Sequence, residues 1–364
     1  MTLATHDRYD YIPITDRPRF EWPQGKGLAV YLGLNLEHFA FGQGLGAELA
    51  PGGPQPDVMN YAWRDYGNRV GAWRMLDMLD ALSLPATVLV NSEMYDYAPA
   101  LLAAHRDRGD EIAGHGRTNS ERQSTLSEAE EAALIADATA RIAQAERSPP
   151  SGWLSPWIAE SHVTPDLLQE AGYRYTLNWC MDDQPVWMRT RRGHLLSVPY
   201  PQEVNDIPAV VARKETASGF AELIIDTFEE MQRQATAQPL VMGIALHPYI
   251  IGQPARLHHL RRALGHICDR RDDVWITTAG AIADCFANQI PQPERTTHAT
   301  YNNERAQLDR IASTFPLDDQ AVALRFPVAC KIKDRLSIPR PHVQVGSCCN
   351  DLIFQRASHG DNLA

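Results

Sequence analysis

Cysteine is scarce in this chain. Six occur in 364 residues, at 180, 268, 285, 330, 348 and 349, and none is in Cys-x-x-Cys spacing. That excludes a disulfide framework and the usual structural zinc motifs. No stretch reaches the ~18 apolar residues that a membrane-spanning helix needs. The first ten residues are polar and lack the apolar segment of an export signal, so cytoplasm is the expected location. Basic charge is also short, with 34 Lys and Arg against 45 Asp and Glu and a net charge of −11. This leaves no basic field for nucleic acid. There is no Gly-x-Ser-x-Gly elbow, no P-loop, and no Gly-x-Gly-x-x-Gly opening a helix after a strand; residues 41–46 (FGQGLG) imitate the last only loosely. Serine hydrolases, nucleotide kinases and dinucleotide oxidoreductases lose ground accordingly. Neither nucleic acid nor a membrane is expected as a partner.

The length suits one large α/β domain with an appendage. Short apolar runs rich in strand formers stand at 28–35 (LAVYLGLN), 86–91, 195–200, 240–247 and 274–277. Helical patterns lie between them. Val70, Trp73, Leu76 and Leu79 share one face, closed by Leu84-Pro85. Ser127 and Glu130 make a capping box before an Ala-rich helix reaching about 145. Thr164 and Pro165 read as N-cap and first helical residue, and residues 220–234 form a further helix. Such alternation means βαβ units and a parallel sheet, open or closed into a barrel. The Gly- and Pro-rich stretch 41–60 would overhang the C-terminal strand ends, where α/β barrels carry their sites. From about 291 the texture changes to scattered charge. The expected division is a domain at 1–292 and a loosely structured or disordered extension at 293–364.

Four polar clusters fall at expected strand ends. Asn35-Leu36-Glu37-His38 offers a carboxylate to activate water and a histidine to bind metal or pass a proton, or equally a surface pair. In residues 111–119 (EIAGHGRTN), glycines flank His115, and a helical turn would put His115 and Asn119 on one face. His-x3-Asn is a weaker metal signal than His-x3-His. Asp182-Asp183, followed by Glu203, Asn205 and Asp206, reads as solvated loop or as groups that orient a histidine. His247, pinned by Pro248 at the end of an apolar strand, is placed as a general acid or as a structural strand-end residue.

These clusters in this order resemble the polysaccharide-deacetylase (carbohydrate esterase 4) superfamily, and within it the allantoinase and cyclic-imide-hydrolase branch, over roughly residues 11–287. The fullest likeness is at residues 66–74 (YGNRVGAWR), similar to that branch's Tyr-Gly-x-Arg-x-Gly-x-Trp-Arg. Residues 112–116 (IAGHG), Pro199-Tyr200 with Asn205-Asp206, Leu246-His247-Pro248 with Gly252-x-Pro254-x-Arg256, and Val274-Trp275 support it. The resemblance implies a distorted seven-stranded (β/α) barrel with its site at the strand C-termini. It also implies departures from the deacetylases. Their catalytic and metal-binding aspartates are replaced by Glu37 and His38, and the second histidine of His-x3-His by Asn119. The third motif reads Leu154-Ser155-Pro156-Trp157 without its arginine. Only His115 and His247 stand unchanged.

The resulting expectation is a hydrolase acting on a non-peptide C–N bond in a small cyclic amide, imide or ureide. Glu37 acts on water, His115 positions water or carbonyl, and His247 protonates the leaving nitrogen. Trp153 and Trp157 suit a flat ring, and Arg69, Asn205 and Asp206 contact the substrate or support those that do. His38, His115 and Asn119 are the set for a divalent metal such as zinc, if one is bound; a metal-free site is the alternative. The family resemblance suggests a homo-oligomer. Rival readings are a metal-dependent sugar N-deacetylase and a silent barrel kept for binding.

Overall fold

A computed structural model describes residues 5–42, 46–49, 51–52 and 55–293. Apart from Pro293, the extension expected at 293–364 lies outside the described residues.

The central strand β1 (Leu28–Leu36) is buried along all nine residues. Successive side chains on a strand point to opposite faces. Leu28, Val30, Leu32, Leu34 and Leu36 therefore join the helices in one core, while Ala29 and Tyr31 join a second core inside the sheet's curl. The other strands are β2 (Thr87–Val90), β3 (Glu111–Gly114), β4 (Gly152–Trp153), β5 (Tyr175–Thr176), β6 (Val186–Thr190), β7 (Gly193–Ser197), β8 (Leu240–Leu246) and β9 (Trp275–Thr277). Seven parallel strands run in the order β7-β5-β4-β3-β2-β1-β8, and β6 adds antiparallel to β7. Strand β9 pairs with Ala29–Tyr31, the early half of β1, while β2 pairs with Gly33–Leu36. The curl closes between β7 and β8 only through a single bridge, Asn205 with Ala245, rather than a ladder. This is the distorted seven-stranded barrel the resemblance implied.

All five apolar runs are strands. The structure adds β3 to β6, two of them two residues long and too short to show any periodicity. The helix expected around Val70 to Leu79 is Ala72–Leu82, preceded by a helix at Val58–Tyr66, and its buried face is Ala72, Met75, Leu76, Met78 and Leu79. Trp73 is 40% exposed, so the expected stripe is rotated away from it. The Ser127–Glu130 capping box forms and opens the helix Glu128–Glu146. Thr164 is not an N-cap; that place belongs to Val163, and the Thr164 hydroxyl donates to the buried Glu131 instead. The expected 220–234 helix runs Ala217–Gln234, with Thr216 as its cap.

Candidate active site

The polar residues that follow the strands converge. Glu37 comes one residue after β1, His115 one after β3, and His247 one after β8. With Asn35, Asn119, Trp157, Asn205 and Tyr249 they line a cavity of ≈ 140 Å³ at the C-terminal strand ends. Phe39, Gly46 and Ala47, from the Gly-rich loop after β1, form part of its wall.

One carboxylate organises the centre. Glu37, 6% exposed, accepts a hydrogen bond from Asn119 Nδ2 at 2.6 Å. Its Oε1 lies 3.4 Å from His115 Nε2 and 3.6 Å from His247 Nε2. Both rings are oriented from behind. His115 Nδ1 is 2.7 Å from the Leu154 carbonyl, which only accepts, so Nδ1 carries a proton, and Nε2, turned to Glu37, donates to it when the ring holds its second proton. The buried Asp206 takes two hydrogen bonds from His247, from the backbone N–H at 2.7 Å and from Nδ1 at 2.6 Å.

The electrostatics follow from that pairing. Burial favours the neutral Glu37 acid, but the charge on the nearby His247 and the contact with His115 outweigh it. The carboxyl is held well below its usual range. Burial likewise opposes charge on His247, yet Asp206 and Glu37 prevail and raise its pKa well above the usual imidazole value. Asp206 itself is raised by burial, partly offset by His247. An ionised carboxylate thus faces an imidazolium across a cavity that Trp157, 39% exposed, borders with its indole.

The polysaccharide deacetylase family model matches residues 55–176. Over that third of the chain the sequence is similar to the polysaccharide deacetylase family. A crystal structure of a probable polysaccharide deacetylase from Pseudomonas aeruginosa PAO1 superposes with a TM-score of 0.69 at 24% identity, covering 76% of this chain and 97% of that one. PuuE allantoinase gives 0.67 at 23% identity, over 78% and 99%. A peptidoglycan deacetylase of Helicobacter pylori is 22% identical over 259 residues, 62% of this chain and 87% of its own. The structural matches establish the fold as the superfamily's barrel.

Three of the residues expected at the site stand outside the cavity. His38 stacks its ring on Tyr97, with centroids 4.3 Å apart, and only its backbone reaches the site, accepting from the Asn119 N–H. Arg69 is exposed on the π-helical turn Gly67–Gly71. Trp153 is fully buried in the core, edge-on to Tyr173, its Nε1 donating to Gln123 and Ser155. His115 and Asn119 do meet at Glu37, through a loop rather than a helical turn. Asp182 pairs with Arg17, and Glu203 with Arg213, both away from the cavity.

A divalent metal finds a poor donor set here. His38 is turned away, and the Asn119 carbonyl oxygen already accepts from Asn91 while its amide N–H2 faces Glu37. An amide oxygen is a weak zinc ligand even when free. Among the described residues no group of three His, Cys, Asp or Glu is arranged to hold an ion. The expected His38–His115–Asn119 set does not fit a metal.

The YGNRVGAWR segment carries the family likeness, and its glycines rather than Arg69 pack against the chain that bears His247. A Cβ on Gly71 would stand 2.2 Å from the Pro248 carbonyl oxygen, and one on Gly67 2.7 Å from the Tyr249 nitrogen. Their absence lets the π-turn press directly on the segment that carries His247 and Tyr249. Among the cavity residues not nominated are Asn35, Tyr200 and Tyr249. For Asn35 a signal existed, since it precedes Glu37 by two positions and shares its side of the strand.

Proposed function

We propose that this protein hydrolyses a C–N bond in a small cyclic amide, imide or ureide. The reading is carried by one observation: Glu37 and the Asp206-bound His247 stand 3.6 Å apart in a single cavity, one ionised and the other protonated. In this mechanism Glu37 takes a proton from water and the hydroxide attacks the ring carbonyl. His115 and Asn119 hold the Glu37 carboxylate in place. His247 gives its Nε2 proton to the departing nitrogen as the C–N bond breaks, leaving a carboxylic acid and a free nitrogen group. The proton on Glu37 then returns to His247 across the same short gap. Acid–base catalysis of this kind contributes on the order of 10²–10⁴ in rate.

A strained or electron-poor ring nitrogen leaves more readily than a sugar acetamide nitrogen. It therefore suits a site whose donors do not fit a metal, since an unactivated amide gains most from a Lewis acid. The flat Trp157 border and compact cavity favour a planar ring, and the likeness to PuuE allantoinase agrees with this. Metal-dependent N-deacetylation is the second reading, favoured by the deacetylase names of other relatives. Cytoplasmic location, a small-molecule partner and a homo-oligomer complete the first.

The test is a panel of allantoin, hydantoin, dihydropyrimidines, succinimide, phthalimide and glutarimide, each with and without chelator. Acetylated chitin oligomers with zinc or cobalt run alongside. Ring opening that survives chelation supports the reading. Metal-dependent acetate release without ring opening overturns it.

A further inference from the structure

We infer that Asn35 reads a ring N–H of the substrate, so that the site accepts cyclic amides with a free N–H and rejects their N-alkylated forms; this rests on the ring-amide reading above. Asn35 lines the cavity and is 1% exposed. Its amide orientation is fixed by chemistry. The Leu246 carbonyl can only accept, so the atom 3.3 Å from it is Nδ2, which also lies 3.0 Å from the Tyr200 hydroxyl. Oδ1 is thereby the free atom, buried with no hydrogen-bond partner among the described residues.

Buried acceptors are nearly always met, and one left open beside a cavity calls for a donor from the ligand. The Tyr200 oxygen already accepts from Asn35, so its own proton remains to donate. An acceptor next to a donor complements the –CO–NH– edge of a ring amide, not an ester or a tertiary amide. Glu37 Oε2 and the Tyr249 hydroxyl are the other open groups at the cavity, and the proposed mechanism assigns Oε2 to the attacking water. A ring N-methyl group would replace the donor and leave Oδ1 unmet. Sites built to hydrogen-bond a substrate N–H discriminate strongly against analogues that lack it.

The experiment compares kcat/KM for succinimide, glutarimide and hydantoin with their N-methyl counterparts, in wild type and in Asn35→Ala. Wild type is expected to prefer the N–H ring by about 100-fold or more. Asn35→Ala removes the acceptor and makes room, so the preference falls at least about tenfold, mainly through loss on the N–H ring. Circular dichroism and melting temperature check that the variant folds, and the wild-type ratio stands without any variant. N-methyl rings opened within about threefold of N–H rings by wild type, or full discrimination kept by a folded Asn35→Ala, overturn the inference and leave the ring-amide reading intact. If no ring opens while acetylated sugars are cleaved, the ring-amide reading falls, and this inference with it.

Discussion

Replacing Asp206 by Asn is the sharpest probe of the proposed acid. Asp206 presents two acceptor oxygens to two donors of one residue, the backbone N–H and Nδ1–H of His247. Asparagine has one acceptor, so one of these buried donors meets an N–H2 group instead. A stranded buried donor costs about 1–3 kcal/mol, which in a domain this large lowers Tm by roughly 2–4 °C for each kcal/mol. The catalytic loss is larger. If the Nδ1 proton loses its acceptor, the ring takes the other tautomer or turns, and Nε2 no longer delivers a proton at Glu37. The fall in kcat is expected at about 10²–10⁴, the usual contribution of a general acid. The variant also loses the main group that raises His247 against the pull of burial. The imidazolium then deprotonates at lower pH, and the alkaline limb of kcat/KM moves down. Initial rates of ring opening across about pH 5–10 measure both effects. An alkaline limb that stays in place, or a kcat within about fivefold of wild type, refutes the assignment of His247 as acid.

Glu37→Gln keeps the shape and removes the base, so kcat falls by about 10²–10⁴ while calorimetric affinity for a ring substrate changes less than about threefold; a variant with near wild-type turnover contradicts the assigned role. Trp157→Ala removes the indole at the cavity border together with its bond to the Asn119 backbone carbonyl, so in steady-state kinetics KM is expected to rise up to about tenfold and kcat to fall by up to about tenfold. Gly71→Ala drives a Cβ into the Pro248 carbonyl, a backbone atom that no rotamer change relieves. Overpacking of this kind costs about 1–3 kcal/mol, and because Pro248 follows His247, thermal melts and kcat should fall together. The Glu37–His247 pair also predicts a pH window for stability. Glu37 is depressed below its ordinary 4.5, so its contribution is present above that pH and lost on acidification; His247 is raised above 6.5, so its contribution is present below that pH and lost as pH rises. The Tm gap between wild type and the Glu37→Gln/His247→Asn double variant should be widest between those values and shrink on both sides.

The barrel was legible where strands are long and buried on both faces. Strands β1 and β8 are apolar apart from Asn35 near the end of β1, and their runs mark them without any fold knowledge. Strands β4 and β5 were not legible, because two residues carry no period; neighbouring strands define them, not their own composition. Glu37, His115, Asn119 and His247 could be nominated because each directly follows a strand or lies on the loop after one, and the barrel brings such positions together. Asn205 and Asp206 were legible as a polar cluster able to orient a histidine, but not which histidine, since they are far from His247 in sequence and come beside it through the bridge that closes the barrel.

The misplacements share a cause. His38 follows Glu37 immediately, and neighbours in an extended chain point in opposite directions. Placing Glu37 in the cavity therefore turns His38 outward onto Tyr97, so the adjacent Glu-His could not serve as two ligands of one ion while the strand geometry persists. Trp153 obeys the same rule: it occupies the core on strand β4, whereas Trp157 reaches the cavity only because the chain beyond that strand turns through left-handed backbone at Trp157 and Ile158. Such backbone is costly for bulky residues and persists where surrounding structure enforces it. Here the indole N–H bonds to the Asn119 carbonyl at 3.0 Å. That bond ties the aromatic border to the very residue whose amide holds Glu37, so the wall that meets the ring and the base that activates water are positioned by one loop.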